Sequence, residues 1–469
     1  WFSVYFYLLK NFYLPNSANL AIVCIMCDTF VATGSYTSSG NMIFGKNSDR
    51  EPNEAQSLEV HAERTASKSP RKMTYIEIPD ADAQSILIGR PFQMQGAEMG
   101  VNESGVVIGN EAVFTKTAKT KKNQGLNGMD LLRLALERAS TTDQAVEVIA
   151  NLLEKYGQDG CGGYEDTQFF YDNSFLIADG KTARVLETAD RYWVSKQVDG
   201  YYAISNGLTI GEDFDLSSKD LAENTLKAGL RKKNEPVNFA KIFSDRFYTT
   251  MGKCKIRRAL SEQSADKFGK GKFDLSSGFA VLRTHDPKNP NDPSRSGLDS
   301  VCVHAAGLLA PSQTTNSLVV EIGQSKDSFR IFATGTSAPC ISLFKPIALP
   351  TKNHPLDANQ NQKWFLPTAV EDKSLWWQHE ALHRRVLASY SELAPIIQTD
   401  RDKKEAEWLK LNSNEIDFGV TMEAISKHQA FIQDWKVKVR NQLANINSLF
   451  RPLYKSYWSR RNKVLKQAL

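Results

Sequence analysis

The sequence predicts an α+β chain in which antiparallel sheet with inserted helices is followed by a helical C-terminal region. Three observations carry this reading. Short β-like runs separated by tight turns begin near Cys27 and recur as far as Ala333. Two strongly amphipathic helices interrupt them, and after about residue 350 the β signals give way to helical periodicity rich in Trp, Lys and Glu. With 469 residues, 41% apolar and 24% charged, the chain has enough hydrophobicity to bury a large core and is not disordered. Its 28 Gly and 17 Pro exclude a collagen-like repeat, and no internal repeat or low-complexity tract is visible.

The first 26 residues, WFSVYFYLLKNFYLPNSANLAIVCIM, are apolar but broken by Lys10, Asn11, Pro15, Asn16 and Asn19 into runs too short to span a bilayer. They make a poor secretory signal, because no basic stretch leads them and no small-x-small site closes them. Three readings of residues 1–26 remain, an odd targeting segment, a removable propeptide, or sequence upstream of a start at Met26, and the last is the expectation. From Cys27 the texture changes. Thr29 to Thr33, the turn Ser38-Ser39-Gly40-Asn41, and Met42 to Lys46 read as a hairpin. Further strands are expected at 75–78, 85–88, 105–108, 174–178, 183–186, 201–205, 318–322 and 329–333, with Asp179-Gly180 turning one hairpin.

Gly128 to Ala139 and Thr142 to Tyr156 read as helices, the second opened by Thr141-x-x-Gln144 and closed by Gly157. His285 to Ser300, with three X-Pro steps, reads as a surface loop. Helices are expected at 374–391, 402–411 and 421–439 and beyond. The organisation expected is thus residues 1–26, a main domain over 27–350, and a helical region over 351–469.

The formal charge of +5 is concentrated at the end of the chain, where residues 400–469 hold 14 Lys/Arg against 8 Asp/Glu. The main body is near neutral and gives nucleic-acid binding no electrostatic support, and the tail reads as a solvated helix face. Six cysteines, at 24, 27, 161, 254, 302 and 340, are too sparse for a disulfide framework and suit a reducing compartment, so a cytoplasmic location without an integral membrane span is expected.

The hairpin makes a geometric prediction. A turn centred between Ser38 and Ser39 places Cys27 opposite about Arg50, beside Lys46, Asn47, Ser48 and Asp49. Cations near a thiol lower its pKa, and carboxylates and amides orient an acceptor, so these are a nucleophile's neighbours. If Met26 is removed, Cys27 also gains an α-amine of pKa about 8 that can carry the thiol proton. The same residues equally describe a small buried cysteine at a strand end followed by a polar strand exit, and on geometry alone that plainer reading has the edge.

Beyond these residues, CDTF at 27–30, FGKNSDR at 44–50, GAEMGVNESGVVIGNEAV at 96–113, GMDLLRLALERA at 128–139, LLEKYGQ at 152–158, NSFLIAD at 173–179 and ISN at 204–206 resemble the secernins. Secernins are relatives of the dipeptidase A group, in the cysteine branch of the N-terminal-nucleophile hydrolases that includes penicillin V acylase and bile-salt hydrolase. The resemblance covers roughly residues 27–346 and continues more weakly into LWWQHEALHR. It implies an αββα sandwich in which Cys27 becomes the first residue and acts as nucleophile on short peptides, as a cysteine-type dipeptidase.

It also implies that Asp49 holds the α-amine, that Asn110 (Asn102 being the lesser choice) and Asn206 stabilise an oxyanion, and that Lys46, Asn47, Arg50 and Glu111 contact substrate. No cofactor or metal is implied. The acylase relatives carry Arg where this chain has Lys46, which weakens bidentate recognition there. A further acylase Arg has only Arg257 and Arg258 as its nearest counterparts. Because secernins are also associated with regulated exocytosis, the resemblance admits, as the alternative, a non-catalytic role with a secretory-machinery partner, and also homo-oligomerisation.

Competing motifs are weaker. His379-Glu380-Ala381-Leu382-His383 matches the H-E-x-x-H zinc-peptidase pattern, yet no third ligand is identifiable, and an amphipathic helix with polar histidines near its surface is the plainer reading. Cys24-x-x-Cys27 lacks a second pair, and His304 near Cys302 lacks a cysteine-protease signature and reads as a core histidine. Gly160-Cys161-Gly162-Gly163 reads as a loop, because no helix follows it to cradle phosphate.

Overall fold

The computed structural model describes residues 26–117, 119–307, 310–325, 328–350, 363–364, 366–444 and 452–465. The expectations for residues 1–25, including Cys24, lie outside the described residues. Two antiparallel sheets dominate. The first orders its strands Tyr201–Ile204, Cys27–Ala32, Met42–Arg50, Gln313–Ile322, Phe329–Ala333 and Lys345–Pro346. The second runs from Leu216–Ser217 through Tyr192–Val198, Ala183–Ala189, Asp172–Ala178, Val107–Val113, Met99–Asn102, Ile86–Pro91 and Gln56–His61 to Lys363–Trp364.

Strand alternation explains the layering. Val31, Met42, Phe44, Leu318 and Val320 of the first sheet share one buried cluster with Leu87, Val101, Val107, Leu176 and Val185 of the second, so these faces meet. The neighbouring residues in each strand point the other way. Phe30, Ile43 and Val319 pack under the helices Cys254–Asp266 and Leu275–Leu282. Ile86, Ile108, Phe175 and Ile177 pack under Gly128–Arg138 and Thr142–Tyr156. The result is helix, sheet, sheet, helix: the αββα sandwich. Each fully buried Leu, Ile or Phe contributes roughly 1.5–3 kcal/mol to holding these layers.

The hairpin register differs slightly from expectation. Cys27 pairs with Ser48, two residues short of Arg50, because the turn sits one residue earlier. A shift of two leaves every side chain on its expected face. The Thr142–Tyr156 helix forms with its expected ends: Thr141 accepts from the Gln144 N–H, and Gly157 closes it at φ 71°. Strands at Gln56–His61, Met99–Asn102 and Tyr192–Val198, and the helices at Cys254–Asp266 and Leu275–Leu282, were not expected from the sequence. At 75–78 only the two-residue strand Glu77–Ile78 forms.

The C-terminal helices Leu375–Val386, Tyr390–Trp408 and Phe418–Leu443 lengthen the outer layer over the first sheet. Leu375, Leu382, Leu393, Trp408 and Trp435 belong to the same buried cluster as Phe30, Ile43 and Phe279. Trp376 anchors the first of them, its Nε1 donating to the Thr315 carbonyl at 2.9 Å. No helix among the described residues is long and apolar enough to cross a membrane.

Candidate active site around Cys27

Cys27 opens the central strand pair, and its side chain points between the sheets, on the face it shares with Thr29, Lys46, Ser48 and Arg50. Cys27 is 2% exposed and Met26, still attached, is 1% exposed, so the nucleophile candidate is buried. The Asp49 N–H donates to Cys27 Sγ at 3.3 Å. The Cys27 N–H donates to Asn206 Oδ1 at 2.9 Å. Asn206 in turn donates its Nδ2 to the Ala112 carbonyl at 2.8 Å, which ties the first sheet to the Val107–Val113 strand of the second.

Arg257, fully buried on the Cys254–Asp266 helix, clamps this arrangement. Its guanidinium donates to the Cys27 carbonyl at 3.0 Å, to Asp28 Oδ2 at 2.5 Å and to Asn206 Oδ1 at 2.6 Å. A planar fork with several donors suits three acceptors around one point. Arg258 instead pairs with Glu262 and stacks over Tyr202, away from Cys27.

Lys46 lies beside the thiol from the second strand. Its Nζ donates to the Asn110 carbonyl at 2.7 Å and pairs with Glu111 Oε1 at 3.2 Å, and Thr29 Oγ1 also donates to Glu111. Gly109 makes this possible, because a Cβ there would stand 2.6 Å from Lys46 Cδ. Asp49 turns its carboxylate to the helix side of the strand, where Oδ1 accepts from Thr314 Oγ1 at 2.6 Å and Oδ2 has no hydrogen-bond partner.

Burial sets the charges. It pushes the Cys27 thiol well above its ordinary range, against Lys46, with Glu111, Glu98 and Asp49 adding to the rise. Burial likewise raises Asp49, helped by Asp28 and opposed by Arg257. It lifts Glu111 to about 7 against the pull of Lys46. Lys46 is raised: burial works against its charge, and the Cys27, Glu111 and Glu98 charges outweigh it.

The structure therefore gathers Cys27, the Asp49 backbone, Asn206, Lys46 and Glu111, and places four other expected residues differently. Asn47 faces the helices, donating to the carbonyls of Leu282 and Val301 and accepting from Ser317, so its side chain lies on the opposite face of the strand from the Cys27 thiol. The side chain of Asn110 lies on the helix side of its strand and donates to Asn173 Oδ1 at 3.0 Å; only its carbonyl reaches the site, through Lys46. Asn102 caps the end of the Gly128–Arg138 helix, donating to the carbonyls of Leu136 and Ala139, and accepts from the Ser104 and Val106 N–H groups. Arg50 is fully buried between Glu54, Glu98 and the Gly162 carbonyl, a packing role for the glycine loop at 160–163. Sequence reasoning passed over Asp28 and set Arg257 aside; Asp28 had a signal in its adjacency to Cys27, while Arg257 arrives from a helix with no local motif.

The zinc-peptidase pattern does not assemble on its own helix. His379 and His383 are both fully buried rather than near the surface. The His379 ring packs on His428 and neither of its nitrogens has a hydrogen-bond partner, whereas His383 Nε2 faces His304 Nδ1 at 2.9 Å.

Residues 36–160 match the family described as acyl-coenzyme A:6-aminopenicillanic acid acyl-transferase. This segment contains the Lys46 to Arg50 strand and Glu111 but neither Cys27 nor Asn206 and Arg257. Among solved structures, the chain is similar to a variant of conjugated bile acid hydrolase from Clostridium perfringens, at 14% identity over 71% of this chain and 99% of that one, with a TM-score of 0.41. It is similar to penicillin V acylase from Agrobacterium tumefaciens, at 14% identity over 66% and 83% of the two chains, with a TM-score of 0.36. It is also similar to the Caenorhabditis elegans ortholog of N-acylethanolamine-hydrolyzing acid amidase, at 14% identity over 62% and 92%, with a TM-score of 0.33.

Proposed function

We propose that this chain is a cysteine N-terminal-nucleophile amide hydrolase of the secernin and dipeptidase A type, acting on short peptides once the residues before Cys27 are removed. The observation that carries the reading is the double grip on Cys27. Its nitrogen is held by Asn206 under Arg257, and its sulfur by the Asp49 N–H. A cysteine whose nitrogen is positioned as carefully as its sulfur is one whose nitrogen has chemistry to do.

In this mechanism the free α-amine takes the Cys27 thiol proton, and the thiolate, favoured by Lys46 and the Asp49 N–H, attacks the scissile carbonyl carbon. A C–S bond forms. The α-ammonium then returns the proton to the leaving nitrogen as the C–N bond breaks, leaving a thioester. Water gives a proton to the amine, attacks the thioester carbonyl, and the C–S bond breaks to restore the thiol. Asn206 and Arg257 hold the amine in line, Asp49 gives its backbone N–H to the sulfur, and Glu111 tunes Lys46. The raised thiol pKa of the covered form fits a precursor in which the chemistry is switched off.

Intact-mass measurement on the purified protein, with dipeptides and N-acyl amides as substrates, tests the reading. The expected result is a chain beginning at Cys27 whose amide hydrolysis is lost on alkylation and in Cys27→Ala. Hydrolysis that persists in Cys27→Ala, or a fully active chain still carrying Met26, overturns it. A chain retaining Met26 with no turnover of any amide points instead to the non-catalytic role.

A further inference from the structure

Four metal-ligating side chains converge behind the Cys27 site. His285 follows the Leu275–Leu282 helix, Cys302 and His304 lie on the segment leading to the Gln313–Ile322 strand, and Cys340 sits on the turn Pro339–Ile341. One ligand atom from each lies within 4.8 Å of all the others. His304 Nε2 stands 3.5 Å from Cys302 Sγ, 3.3 Å from Cys340 Sγ and 3.2 Å from His285 Nε2. A tetrahedral zinc with Zn–S about 2.3 Å and Zn–N about 2.0 Å needs N···S edges of about 3.5 Å and N···N edges of about 3.3 Å. We infer that His285, Cys302, His304 and Cys340 form a closed Cys2His2 site for a zinc ion that fixes the geometry of the nucleophile site.

The outer partners fit the same assignment. A metal-bound imidazole donates its other N–H to an acceptor that fixes its tautomer. His285 Nδ1 has the Pro290 carbonyl at 2.9 Å. His304 Nδ1 has His383 Nε2 at 2.9 Å, and His383 Nδ1 has Glu380 Oε2 at 3.1 Å. Glu380 is pinned by Ser337 Oγ at 2.5 Å and Arg384 Nε at 2.7 Å. The Glu380 and His383 of the H-E-x-x-H motif thus serve as an orienting relay to the ion, and the two thiolates formed on binding, each releasing a proton, cancel its charge in the buried interior. Two thiolates with two imidazoles in a tetrahedron select zinc among the common divalent ions. A cleft of about 150 Å³ lined by His285, Cys340 and Tyr390 gives the ion a way in.

The site reaches the nucleophile through Val303, which sits between two of the ligands. Its N–H donates to Thr314 Oγ1 at 3.0 Å and its carbonyl accepts from the Thr314 N–H at 2.9 Å. Thr314 Oγ1 donates to Asp49 Oδ1 at 2.6 Å. The ion therefore positions Asp49 without touching substrate.

The test is metal content of the full chain purified with reductant, followed by cobalt replacement. One zinc per chain is expected, with the thiolate-to-cobalt charge-transfer and tetrahedral d–d bands appearing on replacement. Cys302→Ser and Cys340→Ser should each bind zinc at least 100-fold more weakly, Glu380→Gln 10- to 100-fold more weakly, and Cys161→Ser unchanged. The proposal fails if folded wild-type protein offered Zn²⁺ and Co²⁺ takes up neither and shows no shift in melting temperature. It fails equally if Cys302 and Cys340 form a disulfide that persists when reductant and zinc are supplied. The cobalt spectrum of the wild type decides the question even if the serine variants do not fold.

Discussion

Arg257 Nη2 stands 2.6 Å from Asn206 Oδ1, the same oxygen that receives the Cys27 N–H. One oxygen thus joins a buried cation to the nitrogen of the candidate nucleophile. Removing one partner of a buried pair leaves the other charge uncompensated, here Asp28, at a cost of about 3–5 kcal/mol. Arg257→Ala is expected to lose that much stability, and Arg257→Ala with Asp28→Asn to recover part of it. Urea unfolding of the two variants checks the coupling, and a double variant no more stable than the single one refutes it.

Cys27→Ser keeps the shape and the hydrogen bonds but offers a weaker nucleophile. Its kcat is expected to fall by a factor of about 10³ or more with melting temperature nearly unchanged. Steady-state kinetics on a dipeptide amide, beside a thermal melt, separates loss of chemistry from loss of fold.

Glu111 gives stability a pH dependence. Its folded pKa of about 7 lies above the ordinary carboxylate value because of burial, with Lys46 pulling the other way. Between the two values the folded state holds the proton more tightly than the unfolded state, so this contribution is complete below the ordinary value and is lost as pH rises through about 7. Glu111→Gln removes it. The difference in unfolding free energy between wild type and Glu111→Gln should therefore change between pH 4 and 8 in that direction; a pH-independent difference contradicts the assignment.

Gly109 is a close-approach position, since an added Cβ would stand 2.6 Å from Lys46 Cδ and 3.1 Å from Thr29 Oγ1. Gly109→Ala should cost about 1–3 kcal/mol by overpacking and lower kcat/KM about 10-fold by moving Lys46 from the thiol. Alkylation rates of Cys27 in processed protein report that movement directly.

Because the C-terminal helices share a buried cluster with the first sheet, they are expected to melt with it in one transition. Trp376→Ala removes a fully buried indole and the bond to Thr315, and should lower stability by about 3–5 kcal/mol without splitting that transition. Calorimetry showing two transitions would separate the regions at about residue 350.

Much of the architecture was legible because it is local. The Cys27 hairpin, the Thr142–Tyr156 helix and the Phe329–Ala333 strand each carry their own turn, cap or alternation. Face assignments survived even where the hairpin register moved by two. What escaped is what depends on convergence. Asn110 and Asn47 have the right residue type at matching positions, and only the parity of their strands turns them to the helices. Arg257 reaches Cys27 from 230 residues away. His285, Cys302, His304 and Cys340 show no ligand spacing, because the fold, not the chain, brings them together. The H-E-x-x-H run is real as a pattern, but its two histidines face different neighbours.

Met26 packs against Leu298, Val303 and Ala310 in a small apolar cluster of its own. Its side chain thus fills a hollow apart from the main cores. If the chain is cut ahead of Cys27, as proposed, the amine is freed and that hollow is emptied in the same event, leaving an apolar recess. Under the proposed maturation, exposure of the amine and emptying of the hollow are then one step.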